Sequence, residues 1–493
     1  MTAIDLNRAN LPRLRAPVHV PGYDVAAVTP GIVHLGLGGF HRAHMARYTH
    51  ALMERRPDTL AFGIIGAGLR PADKAMFDSL TPQDGLYTLV ERSGTEEAAT
   101  VVGSLAGLAY AGDDTAALLA TAADPRIRII SLTVTENGYC LNRATKELDP
   151  EHPLIRRDLA DPARPASAIG VVVEALRRRR DTAQPAFTAL SCDNIQHNGA
   201  VLRAAVLALA RLRDPALAAW IEREGAFPNT MVDRITPATA PADIAIIAER
   251  YGIADRWPVV CEAFTQWIIE DRFPAGRPAW EEVGAQFVAD VAPYEAMKLR
   301  LLNASHLAVA GLGRLAGLTY IDEAMREPLL RDYMAALMDR ETGPTLPPVP
   351  GIDLPDYKRT LIERFANPAI KDTVERVNTD APLNVLIDPI RARLAAGEGI
   401  ELLALALAAW MRRARGEDEA GKPIDVLHPL ATLLRERAAA GGADPAPLLA
   451  IGPLFGDLGH DPRLAGPVGR WLASLYERGS WATLVRAKEE LGF

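Results

Sequence analysis

The segment GIVHLGLGG at residues 31–39 joins a short apolar run to a glycine-rich turn. A helical pattern follows it at residues 41–55. Strand, glycine turn and helix in this order can cradle a dinucleotide phosphate, because the backbone approaches the pyrophosphate and the helix N-terminus faces it. Gly36 and Gly38 fit the G-x-G-x-x-G pattern, but His41 occupies the position of its third glycine. The alternative is an ordinary tight turn between a strand and a helix.

Further apolar runs of strand length recur along the chain, and helical patterns separate several of them. They lie at residues 61–66, 127–136, 186–192, 227–233 and 258–264. The run at 258–264 is the last clear strand, and beyond residue 292 nearly every periodic segment is helical. A chain of 493 residues exceeds one ordinary domain. The sequence therefore predicts an α/β fold, with a Rossmann-type dinucleotide-binding domain at residues 1–288 and a mainly α-helical substrate-binding and catalytic domain at residues 289–493.

Polar side chains interrupt an apolar helical segment, MKLRLLNASH, at residues 297–306. A long helix is predicted at residues 293–310, because the segment has few helix breakers. At about 100° per residue, Asn303 lies about 140° and His306 about 80° around the helix from Lys298, so the three share one sector. Burial lowers the pKa of a lysine towards the range of a general base, an amide can donate to an oxyanion, and an imidazole can orient a substrate. The alternative is an ordinary amphipathic helix with Lys298 in solvent.

Several separated motifs resemble those of the polyol-specific long-chain dehydrogenases. They are K-x4-N-x2-H at 298–306, GLGGFHRAH at 36–44, TVTENGY at 133–139, SCDN followed by HNG within 191–199, and FPNTMVDRITP at 227–237. The resemblance runs from residue 32 to about residue 376 and is weaker after about residue 389. The segments FTQWIIED at 264–271 and RPAW at 277–280 are most similar to the members of the family that act on mannitol.

The resemblance implies an oxidoreductase that uses NAD to oxidise a sugar alcohol reversibly at C2, D-mannitol to D-fructose, by hydride transfer without a metal. Lys298 is the implied general base for oxidation and, when protonated, the acid for ketose reduction. The amides of Asn194 and Asn303 are implied to donate to the C2 oxygen. The residues implied to orient the polyol are His306, Asp233 and Arg376. Glu136 is our candidate for relaying the proton to water, because it is predicted at a strand end.

Each assignment has a structural alternative. Asn194 can cap the loop that follows it, and Asp233 can form a structural ion pair with Arg234. Arg376 can be a surface helix arginine, and Glu136 a solvated turn residue. Other functions also stay open: a fructuronate (uronate) reductase, which needs an extra cation for the substrate carboxylate, or a D-arabinitol dehydrogenase. A non-enzymatic nucleotide-binding sensor is disfavoured, because the lysine and the asparagine of the segment 298–306 are both present.

The implied cofactor contacts lie in the glycine turn and after the second strand. The turn residues are Gly36, Gly38, Gly39, Phe40 and His41. Asp73 is the candidate acid for the adenosine ribose, because an acidic residue after the second strand commonly binds its hydroxyls. The alternative for Asp73 is the N-cap of a helix at residues 74–80. Arg70 could meet a 2′-phosphate, so NADP stays open beside NAD.

A metal centre is not expected. His41 and His44 could share one helix face, with His50 nearby, but no cysteine or carboxylate next to them completes a ligand set. The three cysteines are far apart and include no C-x-x-C pair, which disfavours both a disulfide scaffold and a cysteine-rich zinc site.

The overall charge and hydropathy restrict the partners. A net charge of −8 and a pI near 5.8 disfavour nucleic-acid binding, which needs a basic face. No run of about 18 uncharged apolar residues suggests a membrane span. We therefore expect a cytoplasmic monomer, with a small-molecule polyol or ketose as its partner and with neither nucleic acid nor membrane.

Overall fold

Strands and helices alternate through residues 1–292, the first of two units into which the computed structural model divides. The structure describes residues 3–94, 96–142, 145–379 and 381–493. The strands of this N-terminal unit are β1 (Ile4–Asp5), β2 (Val18–His19), β3 (Pro30–Leu35), β4 (Gly63–Gly68), β5 (Tyr87–Ser93), β6 (Glu96–Val102), β7 (Leu105–Tyr110), β8 (Ile129–Leu132), β9 (Thr188–Ser191), β10 (Thr230–Asp233), β11 (Ile253–Ala254), β12 (Val259–Glu262), β13 (Gln266–Glu270) and β14 (Gln286–Val288). Its helices are α1 (Gly39–Ala43), α2 (Met45–Arg55), α3 (Lys74–Leu80), α4 (Ala111–Ala123), α5 (Pro153–Ala160), α6 (Ala168–Asp181), α7 (Asn198–Arg213), α8 (Pro215–Glu224) and α9 (Pro241–Tyr251).

The central sheet has five parallel strands in the order β7-β4-β3-β8-β9. Alternate residues of a strand face opposite sides. In β3, Val33 and Leu35 join a core with α4, α6, α7 and α8, whereas Ile32 joins a second core with α2 and α3. Both faces of the sheet are therefore buried, as parallel sheets require. The carboxyl ends of β3, β8 and β9 meet at one edge, where open α/β sheets bind ligands.

Three smaller sheets extend the unit, in the orders β12-β5-β6-β2, β10-β13-β14 and β1-β11. The prediction that the last strand lies at 258–264 is wrong, since β13 and β14 follow it. The prediction of a strand through residue 136 is also too long, because β8 ends at Leu132. Thr135 adopts a φ of +61°, which takes the backbone out of the extended conformation.

The second unit, residues 293–493, is helical, and its described residues contain no strand. Its helices are α10 (Ala292–Met297), α11 (Ala304–Leu315), α12 (Ile321–Arg326), α13 (Pro328–Ala336), α14 (Leu354–Phe365), α15 (Asn384–Ala395), α16 (Glu401–Arg413), α17 (Ala431–Gly441), α18 (Ala446–Leu449), α19 (Gly452–Phe455) and α20 (Pro462–Leu491). Every residue of α16 after its first is buried, so this helix forms the centre of the C-terminal unit.

Candidate active site

The glycine turn after β3 requires its first glycine. Gly36 has a φ of +93°, and a Cβ there would lie 2.3 Å from the carbonyl oxygen of Thr133. The carbonyl oxygen of Gly36 accepts hydrogen bonds from Thr133 Oγ1 at 2.8 Å and from the Gly38 N–H at 2.7 Å. A Cβ on Gly38 would meet only Gly36, at 3.8 Å, so the backbone is open on that side. The turn thus fits the close approach of a dinucleotide phosphate.

Two stacked histidines flank this turn. The rings of His34 and His41 lie 3.3 Å apart between centroids and are nearly parallel. His34 also hydrogen-bonds through its two ring nitrogens to Ser131 Oγ and Thr133 Oγ1, at 2.8 Å each. Burial lowers the pKa of His34 to about 3 and that of His41 well below its ordinary value, so both rings are neutral at neutral pH.

The other two histidines considered as metal ligands contact different groups. His44 Nε2 lies 3.0 Å from the carbonyl oxygen of Gln266, and His50 Nδ1 lies 2.7 Å from the hydroxyl of Tyr23. Within the ranges that the structure describes, no group of three or more His, Cys, Asp or Glu side chains is placed to hold a metal ion.

Asp73 closes the turn that follows β4. Its carboxylate accepts hydrogen bonds from the backbone N–H groups of Leu69 at 3.1 Å and Arg70 at 3.0 Å, and from Arg70 Nη2 at 2.8 Å. Its side chain makes no capping bond to α3. Asp73 occupies the N-cap position of α3, as the alternative predicts, but its carboxylate caps the preceding 3-10 turn, Pro71–Asp73, instead. Arg70, the residue considered for a 2′-phosphate, is ion-paired to Asp73.

A buried carboxylate ties together the ends of β8 and β9. Asp193 accepts hydrogen bonds from the N–H groups of Val134 at 3.1 Å and Thr135 at 2.7 Å, and from the Tyr139 hydroxyl at 2.8 Å. Burial raises the pKa of Asp193 and that of Tyr139. Asp193 is not among the site residues predicted from the sequence, although it directly precedes Asn194.

Two loops meet at Asp193, and each carries one predicted site residue: Glu136 follows β8 and Asn194 follows β9. Asn194 is exposed. The Glu136 side chain is 69% exposed, and its carboxylate lies 3.2 Å from Lys146 Nζ. Asp193 is thus adjacent in sequence to Asn194 and hydrogen-bonded to the residue that precedes Glu136.

The third strand-end residue, Asp233, is buried at the end of β10, opposite Gln266 of β13. Its neighbour Arg234 is also buried. The Arg234 guanidinium pairs with Glu91 and donates to the backbone carbonyl of Glu262 at 2.8 Å. A structural ion pair of Arg234 is thus present, and its partner is Glu91.

In the C-terminal unit the predicted long helix contains a π-helical turn. This turn spans Lys298–Asn303 and connects α10 to α11, which ends at Leu315. A π-helix closes i to i+5 hydrogen bonds, so the predicted angles at 100° per residue do not apply across it. Lys298 begins the turn and is 8% exposed, and Asn303 ends it half-buried. π turns occur frequently at functional sites.

His306 and Arg376 meet at one carboxylate. Asp372 Oδ2 lies 3.5 Å from His306 Nε2 and 2.6 Å from Arg376 Nη2, and Asp372 Oδ1 accepts from Arg376 Nε. The His306 ring packs 4.8 Å from that of Phe365. Arg376 is the last residue of a 3-10 turn, Val374–Arg376, and does not belong to an α-helix. Its side chain is 53% exposed.

Asp372 is not among the site residues predicted from the sequence, and it is buried at 6% exposure. The D-x-x-x-R spacing at 372–376 was a signal for its pairing with Arg376. Its approach to His306 spans 66 residues of sequence, and no local pattern reports it.

Two family models match the chain. The model described as the mannitol dehydrogenase Rossmann domain matches residues 30–282, and the model described as the mannitol dehydrogenase C-terminal domain matches residues 290–476. The chain belongs to the mannitol dehydrogenase family. The family and the oxidoreductase class that the sequence predicts are therefore confirmed.

Relatives cover nearly the whole chain. Mannitol 2-dehydrogenase of Aspergillus fumigatus is 44% identical over 98% of this chain and 99% of its own length. The structure of Pseudomonas fluorescens mannitol 2-dehydrogenase in a ternary complex with NAD and D-mannitol is 43% identical, with a TM-score of 0.89 over 99% of this chain and 100% of that chain. A D-sorbitol dehydrogenase in substrate-free form is 34% identical, with a TM-score of 0.88 over 97% and 100%. The predicted fold class is confirmed.

Of the helices in the described part of the chain, none combines the length and the hydropathy that crossing a bilayer needs.

Proposed function

We propose that this protein oxidises D-mannitol at C2 to D-fructose with NAD, and catalyses the reverse reduction with NADH. The observation that carries the proposal is the similarity to mannitol 2-dehydrogenases over nearly the whole chain, including a structural relative described as a complex with NAD and D-mannitol. The K-x4-N-x2-H residues and the glycine turn both lie within the segments that the two family models match.

The proposed NAD site is the glycine turn with the start of α1. Its residues are Gly36, Gly38, Gly39, Phe40 and His41. The open backbone at Gly38 and the lack of any side chain at Gly36 support the approach of the pyrophosphate. NAD supplies the hydride acceptor for oxidation, and the protein supplies position and electrostatics.

Lys298 is the proposed general base. Lys298 is buried, and the neutral amine of a lysine can take the proton of the C2 hydroxyl during oxidation. In ketose reduction the protonated lysine returns that proton to the C2 oxygen. The amides of Asn194 and Asn303 donate hydrogen bonds to this oxygen as negative charge develops on it.

The remaining proposed roles concern the rest of the polyol and the released proton. His306, Asp233 and Arg376 contact the other hydroxyls and fix which carbon is presented for oxidation. Glu136 passes the proton from Lys298 to water. Its 69% exposure supports this role, because an exposed carboxylate exchanges protons freely with solvent.

A substrate screen tests the proposal. Oxidation of D-mannitol, D-sorbitol and D-arabinitol, and reduction of D-fructose and D-fructuronate, are measured with NAD(H) and with NADP(H). We expect the highest kcat/KM for mannitol among the polyols and for fructose among the ketoses, with NAD(H). A higher kcat/KM for fructuronate would establish the uronate reductase instead. Dialysis against a chelator should leave the activity intact, and a loss that zinc restores would contradict the lysine mechanism.

A further inference from the structure

One buried carboxylate in the C-terminal unit, Asp372, pairs with a proposed substrate ligand, Arg376. Asp372 binds Arg376 through both of its oxygens, in a two-point ion pair. The carboxylate of this pair is on the buried side, since Asp372 is 6% exposed, whereas the Arg376 side chain is 53% exposed. Two-point pairs of this kind are geometrically specific and strong, so the guanidinium is held in one orientation.

The pairing leaves Arg376 with donors but with a compensated charge. Asp372 takes only part of the N–H groups that a guanidinium carries, and the exposed ones can still donate to a hydroxyl. A neutral polyol or ketose needs only such donors. A sugar carboxylate needs a net positive site, and here it would also meet the negative charge of Asp372, because like charges in a partly buried site repel.

We propose that Asp372 is a specificity-determining residue, which selects neutral polyols and ketoses against sugars that carry a carboxylate. It acts through Arg376 and also positions His306, whose Nε2 lies 3.5 Å from the same carboxylate. This inference rests on the proposed function, because it assigns the choice between the mannitol reaction and the uronate reaction to one side chain.

The test compares Asp372→Asn with wild type in the reduction of D-fructose and D-fructuronate by NADH. The amide keeps the size of the side chain and removes its charge. We expect the ratio of kcat/KM for fructuronate to that for fructose to rise by about tenfold or more, the scale of one charge-assisted hydrogen bond. Asp372→Glu restores the charge and should keep a ratio close to that of wild type. An unchanged ratio in Asp372→Asn would overturn the proposal.

Asp322→Asn is the matched control. Asp322 is also buried and also pairs with an arginine four residues later, Arg326, and it lies 4.0 Å from Lys371, the neighbour of Asp372. We expect no change of the ratio in this variant. A similar rise in both variants would show that the ratio responds to any lost charge in the region, and would overturn the specific role of Asp372.

A measurement on the wild type keeps the proposal testable if Asp372→Asn does not fold. D-mannonate, the carboxylate counterpart of D-mannitol, is used as a competitive inhibitor of mannitol oxidation. We expect an inhibition constant above the KM of mannitol by about tenfold or more. An inhibition constant at or below that KM overturns the charge selection. Failure of the wild type to oxidise mannitol at all contradicts the proposed function itself, so the two failures are distinguishable.

Discussion

Lys298 combines burial with a position at the first residue of a π turn, and this combination bears on its proposed chemistry. A solvated lysine is charged at neutral pH, with a pKa near 10.4, and cannot accept a proton. Removal from water penalises the charged form, so a buried lysine can act as a base at lower pH. Oxidation should therefore rise with pH as Lys298 loses its proton, and ketose reduction should fall over the same range.

Lys298→Ala tests this role. We expect turnover to fall by about 10² to 10⁴-fold, the range for a lost general base. The affinity for NADH, measured by fluorescence titration, should stay near that of wild type, because the glycine turn belongs to the N-terminal unit. Small primary amines added to the variant should restore part of the oxidation rate. Near-normal turnover with an unaltered pH profile would make the helix structural, and Glu136 and His306 the next candidates.

Asp73 is paired with the one cation considered for a 2′-phosphate, Arg70. Its carboxylate compensates Arg70 and holds the turn after β4. We expect wild type to prefer NAD, because the carboxylate repels a 2′-phosphate. Asp73→Ala should reduce the preference for NAD over NADP, because it releases Arg70, whose cation can then meet the 2′-phosphate. The ratio of kcat/KM for NAD to that for NADP is the measurement. The control is Asp78→Asn, at an exposed ion pair with Lys74. An unchanged ratio in Asp73→Ala would leave Asp73 with only its capping role.

At the scale of elements, the turn between β3 and α1 contains two glycines that are needed for different reasons. Gly36 needs both a positive φ and the space of a missing Cβ, whereas Gly38 has a φ of −93° and open space around it. Gly36→Ala should therefore lower the melting temperature and weaken NADH binding together, since strained backbone of this kind costs about 1 to 3 kcal/mol. Gly38→Ala should weaken NADH binding and leave the melting temperature near that of wild type. Equal melting temperatures for both variants would contradict this assignment.

A buried carboxyl group at the N-terminus of α16 makes the stability of the protein depend on pH. Glu341 is buried and accepts hydrogen bonds from the N–H groups of Leu402 at 2.9 Å and Leu403 at 2.8 Å. Burial raises its pKa to about 7. A carboxyl group with a raised pKa binds its proton more tightly in the folded state than in the unfolded state. Its contribution to stability is therefore largest at low pH and is lost as the pH rises from about 4.5 to about 7.

Glu341→Gln should thus stabilise the protein at pH 8 and have little effect at pH 4.5. Since each unit of pKa corresponds to about 1.4 kcal/mol, we expect a gain on the order of 1 to 3 kcal/mol at pH 8. The two N–H groups donate to separate carboxylate oxygens, so the amide keeps an acceptor for one of them. Calorimetric melting at both pH values is the measurement. Glu323→Gln is the contrasting control, because backbone hydrogen bonds lower the pKa of Glu323, so that substitution should destabilise at pH 8. A loss of stability in Glu341→Gln at pH 8 would contradict the expected sign.

The features that the sequence predicts correctly are those with local patterns. The glycine turn after β3 and the helical character beyond residue 292 both follow from short-range spacing. The π turn at Lys298–Asn303 is not predictable from a 100° period, because that period assumes the ordinary helix that the turn interrupts. β13 and β14 were missed because strands of five and three residues carry little periodicity and pair through distant partners.

The predicted site residues show the same division. Lys298, Asn303 and His306 share one segment of sequence, so their motif is visible without a structure. The carboxylates that organise site residues, Asp193 and Asp372, act on groups 58 and 66 residues away in the chain. Such contacts depend on the tertiary fold, and a single sequence carries no pattern that specifies them.

At the scale of the whole molecule, we expect a monomer, and the exposed apolar side chains are where an interface between copies would be sought. The large hydrophobic residues that are exposed belong to separate segments of the described chain, and they are Val20, Leu154, Leu212, Ile246, Leu427 and Val485. Stable homodimers bury large, apolar interfaces, which need contiguous apolar surface on each partner. We expect light scattering on the eluting peak of a sizing column to give the mass of one chain, 53.2 kDa. The mass should not change with dilution across the micromolar range, or on addition of NADH. A peak of twice that mass would contradict the monomer, and alanine or serine substitutions at the exposed hydrophobic residues, one segment at a time, would then locate the interface.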